Sequence, residues 1–356
     1  MKIAQEELRF FTIQIFEAMG CNRQHAALAA DVLLKADLRG IDSHGVARLS
    51  GYVRLWEKNR INTNPVFSIE HETFTTATLN ADRSLGLISA PFGMDIAIEK
   101  AKVYGCGFTA ITNSNHFGIA AYHALKALPH NMIGIAMTNA SPLVAPTHST
   151  QRMLGTNPMC YVFPAGKHKP MVVDMATSAA ANGKLEIAQR KGKDVPLGWL
   201  QTKEGHDTSD PNGLKNGGSL LPLGSSLDNG SHKGFGLSGV VDVFCGVLSG
   251  ANYGPWVPPF VAFLEPLANL PGQGLGHFVG AIRVDAFRKA DDFKHNMDQW
   301  IDAFKNAERK SADQPIIIPG EPEFEMEEIR AIEGIPLHES VVQDLQQLAQ
   351  KFSLKF

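Results

Sequence analysis

His44 and Arg48 stand four residues apart in RGIDSHGVARL, residues 39–49. Histidine can take up and return a proton near neutrality, because its unperturbed pKa lies near 6.5. Arginine can hold a carboxylate through two parallel N–H bonds. A proton carrier beside an anion clamp is the minimum equipment for chemistry on a small acid. Val46, Leu49, Val53 and Trp56 follow at steps of three and four, which predicts a helix starting near His44, with Asp42 and Ser43 of the types that cap a first turn. In that turn Arg48 would face the positive end of the helix dipole, a cost of ~0.3–1 kcal/mol unless an anion arrives. A plain structural reading is open as well: Arg48 pairs with Asp42 or Glu57, and His44 is a loop histidine satisfied by backbone.

Further candidates lie downstream. Asn115-His116 in ITNSNHFGIAAYHAL falls between a strand and a helix, where open α/β sheets seat their ligands. Ser141, Thr156 and Asn157 sit in the proline- and glycine-rich turns of ASPLVAPTHSTQRMLGTNP, where such residues often serve their own turn. Asp174 closes the strand KPMVVDMATS ahead of small residues that leave room for a ligand, or it caps a helix. Lys233 in HKGFGLSG precedes glycines at a helix start, an arrangement suited to phosphate or carboxylate, or is merely solvated.

Two glycine patterns imitate the dinucleotide fingerprint. Gly105-Cys106-Gly107-Phe108-Thr109-Ala110 follows a helix and precedes a strand, the reverse of the required order, and reads as a helix C-cap. Gly234-Phe235-Gly236-Leu237-Ser238-Gly239 opens a helix, yet the loop SSLDNGSHK precedes it in place of a strand. A Rossmann site is therefore not expected.

The chain of 356 residues, 44 % hydrophobic, can bury a large core over two domains. A net charge of −3 with interleaved signs offers no field for nucleic acid or an anionic membrane. MKIAQEELRFF lacks the basic and apolar regions of a secretory signal. The most apolar run, residues 234–252, contains Asp242 and falls short of a membrane span, so a buried helix is expected there. Cys21, Cys106, Cys160 and Cys245 form no CxxC pair, which argues against zinc and disulfides and fits a cytoplasmic protein. Residues to about 65 are helical in pattern, residues 66–289 alternate strands with helices, and amphipathic helices return after 290. The expected division is thus an α/β domain over 66–289 and one discontinuous helical subdomain from 1–65 and 290–356.

Taken together, RGIDSHGVARL, NSNHFG, GTNP, VVDMATS with its following GK, HKGFGLSG, GLGHF and PGEPE occur in the order and approximate spacing of the type 2 malate/L-lactate dehydrogenase family, which the chain resembles over nearly its whole length. That family includes ureidoglycolate, sulfolactate and diketogulonate-type dehydrogenases and cyclic-imine reductases. The resemblance implies a non-Rossmann, mixed-sheet α/β fold and an NAD(P)-dependent oxidoreductase that interconverts 2-hydroxy and 2-oxo acids, malate first among them. It also implies a homodimer with its active site near the subunit interface. By that resemblance His44 looks like the acid/base, Arg48 like the substrate-carboxylate ligand with Ser43 beside them, and His116 like a second active-site histidine. Ser141, Thr156, Asn157, Asp174, Met175, Ala176, Lys233, Gly234, Gly320 and Glu321 look like cofactor contacts, for NAD in preference to NADP. Where the family often carries an aromatic before the Lys-Gly pair, this chain has His232. Two readings of other classes stand beside it: a non-catalytic small-acid binder using Arg48 and Lys233, and a metal-dependent hydrolase using His44, His116 and Asp174. The dispersion of those three residues disfavours the latter.

Overall fold

The computed structural model describes residues Met1–Phe356. A two-residue strand β1 (Lys2–Ile3) leads into helices α1 (Gln5–Ala18), α2 (Arg23–Leu38) and α3 (Leu49–Glu57). Then come β2 (Ser68–Glu72), β3 (Thr76–Asn80), α4 (Gly86–Tyr104), β4 (Cys106–Ser114), α5 (Ala120–Leu125), β5 (Met132–Thr138), β6 (Met159–Phe163) and β7 (Met171–Met175). Next are α6 (Asn182–Lys191), the short strands β8 (Leu200–Gln201), β9 (Asp207–Thr208) and β10 (Ser219–Leu220), and α7 (Ser231–Asp242). The chain ends with β11 (Leu275–Arg283), α8 (Ala290–Lys305), α9 (Glu321–Glu333), β12 (Ile335–Pro336) and α10 (Glu339–Lys351).

A seven-stranded mixed sheet forms the centre, in the order β2-β3-β4-β11-β5-β6-β7. Only β3 and β4 run parallel, with α4 as their crossover, and every other neighbouring pair is antiparallel. This is not a doubly wound parallel sheet, in keeping with the expected non-Rossmann fold. Side chains alternate across the sheet with the period of two. Ile111 and Val279 face a core shared with Met94, Ala97 and Ile98 of α4 and Ala120 and Ala124 of α5. Ala110 and Phe278 face the opposite side, against Val241 and Cys245.

Leu8, Phe11, Phe16, Leu33, Leu49 and Tyr52 of the first three helices share a second core with Ile335, Val341, Leu345 and Leu348 near the C-terminus. β1 pairs with β12, closing the two ends on each other. Leu85, Leu87 and Ile88 of the sheet layer enter the same core. Helix α8 keeps apart from it, and its Asp298 carboxylate receives the N–H groups of Gly166, Lys167 and His168 in the β6–β7 turn.

Gly105 lies in the left-handed region (φ 89°) as the C-cap of α4, so the first glycine pattern is a helix end, as expected. The run 234–252 is not the buried helix expected of it. α7 passes into a π turn over Val243–Val247, and Phe235, Val240, Val243, Phe244, Val247 and Leu248 stand exposed along it. The run packs one side on the sheet and leaves the other apolar side uncovered in a single chain. No helix is long and apolar enough to cross a membrane.

Candidate active site

The segment carrying His44 and Arg48 is not yet a helix where one was expected. Asp42–His44 and Val46–Arg48 are single 3₁₀ turns, and α3 starts at Leu49. The reason is Asp37, buried at the end of α2, whose carboxylate accepts the Val46 N–H at 2.8 Å. Gly45 lies so close to that carboxylate that a Cβ there would sit 1.9 Å from Oδ1, so the backbone passes only as glycine. Asp42 and Ser43 do not cap α3. Asp42 pairs with Arg330, and Ser43 Oγ lies 2.9 Å from His44 Nδ1.

Burial pushes the Asp37 carboxyl up to about 8, against some help from the Val46 N–H. The folded state therefore holds a proton that the unfolded chain has lost between about pH 4 and pH 8, so this contribution to stability declines progressively across that window and is gone above about pH 8. Asp37→Asn keeps an acceptor for Val46 and cannot ionise. Its melting temperature relative to wild type is expected to climb between pH 5 and about pH 8 and then level off; a constant difference would show that Asp37 does not titrate with folding.

Arg48, expected to await an anion, has one from its own chain. Its NH2 lies 3.1 Å from Glu186 Oε2, its NH1 donates to Oε1, and its Nε donates to the Ser43 carbonyl. Glu186 sits on α6 and is held in turn by Asn182 Nδ2 at 2.8 Å. Neither Asp42 nor Glu57 is the partner, since Glu57 pairs with Lys351. Gly183 at the start of α6 packs onto Ser43, where a Cβ would fall 2.5 Å from the serine Cβ.

His116 enters from the end of β4. The side-chain amide of Asn115 donates to the carbonyls of Arg83 and Ser84, which fixes the chain as it leaves the strand. The His116 ring stacks on His44 with centroids 5.8 Å apart and planes at 26°, and Phe260 packs on it at 4.7 Å. Its Nδ1 lies 2.7 Å from the hydroxyl of Tyr52, which α3 carries one turn after Arg48. His44, Arg48 and His116 line one hollow with Ser141, Thr156, Gly183 and Phe260. Both imidazoles are held below their usual pKa, His44 at about 3 through burial and then the Arg48 charge, His116 through burial and then His44 and Arg48. Both are neutral at pH 7 in the free chain.

The remaining candidates divide. Ser141 Oγ accepts the Phe260 N–H at 2.8 Å, which leaves its own hydrogen free. Asn157 is buried and serves the fold, its Oδ1 accepting the Ala140 N–H and its Nδ2 donating to the Ser238 carbonyl. Asp174, Met175 and Gly320 gather in a second hollow with Arg39, Ile41, Ala121, Val172 and Glu323, and Ala176 does not line it. Asp174 Oδ2 accepts the Ala121 N–H at 2.9 Å while Oδ1 has no partner and is not shut away. Burial raises this carboxyl to about 6. One short and largely buried segment, residues 116–121, carries His116 to the first hollow and Ala121 to the second. Glu321 is turned away to Lys305 and the Ile318 N–H. Lys233 is exposed on the first turn of α7 and Gly234 packs beneath Leu223, both outside the two hollows. No group of three or more His, Cys, Asp or Glu side chains is arranged to hold a metal ion. Sequence reasoning missed Tyr52, Glu186, Phe260 and Arg39. Only Tyr52 carried a signal, its place four residues beyond Arg48 on the same helical face.

The family model described as malate/L-lactate dehydrogenase matches residues 3–346. The chain is 40 % identical over 356 residues to a malate dehydrogenase of Pyrococcus abyssi, covering 100 % of this chain and 96 % of that protein. It is 37 % identical to a malate/(S)-sulfolactate dehydrogenase of Methanothermus fervidus, covering 100 % and 99 %. The crystal structure of a malate dehydrogenase from Entamoeba histolytica superposes with a TM-score of 0.92 at 33 % identity, covering 100 % of this chain and 99 % of that one.

Proposed function

The chain belongs to the malate/L-lactate dehydrogenase family and is a dehydrogenase of the CH–OH group of a hydroxy acid, and on that premise we propose that it interconverts malate and oxaloacetate with NAD. The observation that carries this reading is the stacked pair His44 and His116 beside Arg48 in one hollow. A base must take the hydroxyl proton, and a cation must hold the carboxylate next to the reacting carbon. A bound nicotinamide supplies the acceptor for the hydride. His44 takes the proton, Arg48 holds the carboxylate, and the enclosing Phe260 and Leu143 limit water at the reacting centre.

Malate is favoured because Arg48 also borders an adjoining hollow that contains Arg54, Arg190 and Lys215, cations suited to a second carboxylate. NAD is favoured by the open Asp174 oxygen and by Glu323 in the second hollow, since carboxylates accept ribose hydroxyls and repel a 2′-phosphate. The uncovered apolar side of α7 and its π turn supports a homodimer closed over that side. The helical ends, expected as one subdomain over 1–65 and 290–356, are read as bracing the His44 segment through α9 and α10, with α8 packed apart from them. Four free cysteines accord with a cytoplasmic site of action.

The test is a panel of 2-oxo acids, each with NADH and NADPH, followed by the loss of reduced-nicotinamide absorbance. Oxaloacetate with NADH should give the highest efficiency, and absence of oxidation with every pair would overturn the reading. Lys233→Ala is expected to weaken dinucleotide affinity more than it affects acid substrates at saturating cofactor, because a phosphate or ribose group is the proposed partner of Lys233. An unchanged dinucleotide titration would return Lys233 to a solvated surface role.

A further inference from the structure

His116 Nδ1 has two neighbours, the Tyr52 hydroxyl at 2.7 Å and the backbone N–H of Gly118 at 3.3 Å. The Gly118 N–H can only donate, and this longer contact favours a lone pair on Nδ1. A hydrogen on Nδ1 would meet the Gly118 hydrogen head on. The shorter Tyr52 contact fixes the choice, because the buried hydroxyl has no hydrogen-bond partner other than Nδ1 and would lose its acceptor if Nδ1 carried the hydrogen. The neutral ring therefore carries its hydrogen on Nε2, which makes no bond within the protein and is not sealed from the cavity.

His44 is held differently. Its Nδ1 meets only the Ser43 hydroxyl at 2.9 Å, which accepts a hydrogen bond equally well from a neutral ring or a charged one. With Nδ1–H on Ser43, Nε2 of His44 offers a lone pair.

We propose that Tyr52 is a positioning residue that locks His116 as a neutral Nε2–H donor, which leaves His44 as the group that carries the proton. This inference rests on the dehydrogenase reading above and deepens it. In oxidation the substrate O–H bond breaks, a new N–H bond forms at His44 Nε2, and the O–H electron pair becomes the second bond of the C=O group. The hydride leaves carbon with its own pair for the nicotinamide ring. His116 keeps its hydrogen and donates to the same oxygen throughout, which polarises the carbonyl in the reverse direction. For His116 to act as the base it would have to break the Tyr52 bond and turn its proton onto Nδ1, against Gly118. The charged and titratable groups around His116 are His44, Tyr52, Arg48, His277 and His123, and the four that can carry positive charge all oppose a second positive charge there.

Ring-nitrogen NMR of histidine-labelled full-length protein tests the lock without turnover. Between pH 6 and pH 9 His116 should show a protonated Nε2 and an unprotonated Nδ1, and Tyr52→Phe, which leaves only the longer Gly118 contact, should give a mixture of tautomers while its melting temperature stays near wild type. A protonated Nδ1 in the wild-type chain would overturn the proposal. Kinetics test the division of labour. His116→Ala should lose ~10²–10³ in kcat, the effect of removing one preorganised donor. His116→Gln, which keeps an N–H near that place and cannot titrate, should regain most of the loss with the wild-type pH profile. His44→Gln should regain nothing. A His116→Gln enzyme as inactive as His116→Ala, combined with an active His44→Gln, would assign the proton to His116 instead. A wild-type chain inactive on every 2-oxo acid would sink the dehydrogenase reading, and the NMR spectrum would still decide the tautomer.

Discussion

His44→Ala is expected to lower turnover by ~10²–10⁴, the usual consequence of losing a general acid/base, with little change in dinucleotide affinity. The other imidazole of the hollow, His116 with its ring 5.8 Å away, is held at Nδ1 by Tyr52 and so is not placed to substitute for it. A pH signature should accompany the loss. An ordinary histidine would lose its lone pair as pH falls through about 6.5. Here burial and the Arg48 charge lower the pKa of His44 to about 3, so the base form persists well into acid. Wild-type kcat/KM for oxidation of the hydroxy acid should show no acid limb near 6.5. A substrate carboxylate on Arg48 cancels part of the charge that lowers the pKa, so in kcat, which reports the complex, any limb should move upward. Activity of His44→Ala within a few-fold of wild type would remove His44 from the proton path.

Arg48→Lys should be a poor replacement for arginine, with a loss in catalytic efficiency of about 1.5–3 kcal/mol, roughly 10- to 150-fold, on acid substrates. Lysine keeps the charge and loses the two-point fork. The pairing of Arg48 with Glu186 makes a purely structural role a real competitor, because truncating one partner strands the other. Glu186→Gln separates the two. A structural Arg48 would make Glu186→Gln as harmful as Arg48→Lys, in activity and melting temperature alike. A substrate clamp predicts that Glu186→Gln keeps efficiency or improves it, since the substrate carboxylate then has no internal rival. Proportional losses of stability and activity across Arg48→Lys, Arg48→Ala and Glu186→Gln would end the clamp reading.

Some of this molecule is local, and local features are legible in residue order. The strands GFTAITNS, MIGIAMTNAS and GHFVGAIRV are half or fully buried apolar runs, and their length and β-branching announce them. Gly105 could be assigned as a helix end because only its neighbours in sequence matter to that role. β2 gave no such signal, since SIEHE is an edge strand exposed along its length and carries no apolar alternation. The helix start near His44 was misjudged because apolar spacing reports which face is buried and not where hydrogen bonding begins. That point was decided by Asp37, nine residues upstream of Val46, accepting its N–H.

Residue chemistry alone determined that His44, Arg48 and His116 suit proton and carboxylate work, and that neither glycine pattern is a Rossmann loop. Their order also carried the family resemblance, because a family's blocks are preserved as sequence. Tertiary structure decided what each group can do. Glu186 reaches Arg48 from 138 residues away, Tyr52 reaches His116 from 64, and Phe260 closes the hollow from a loop with no motif of its own. A histidine's tautomer and an arginine's free valence depend on which donors and acceptors surround them in space, and no spacing rule encodes neighbours that distant along the chain.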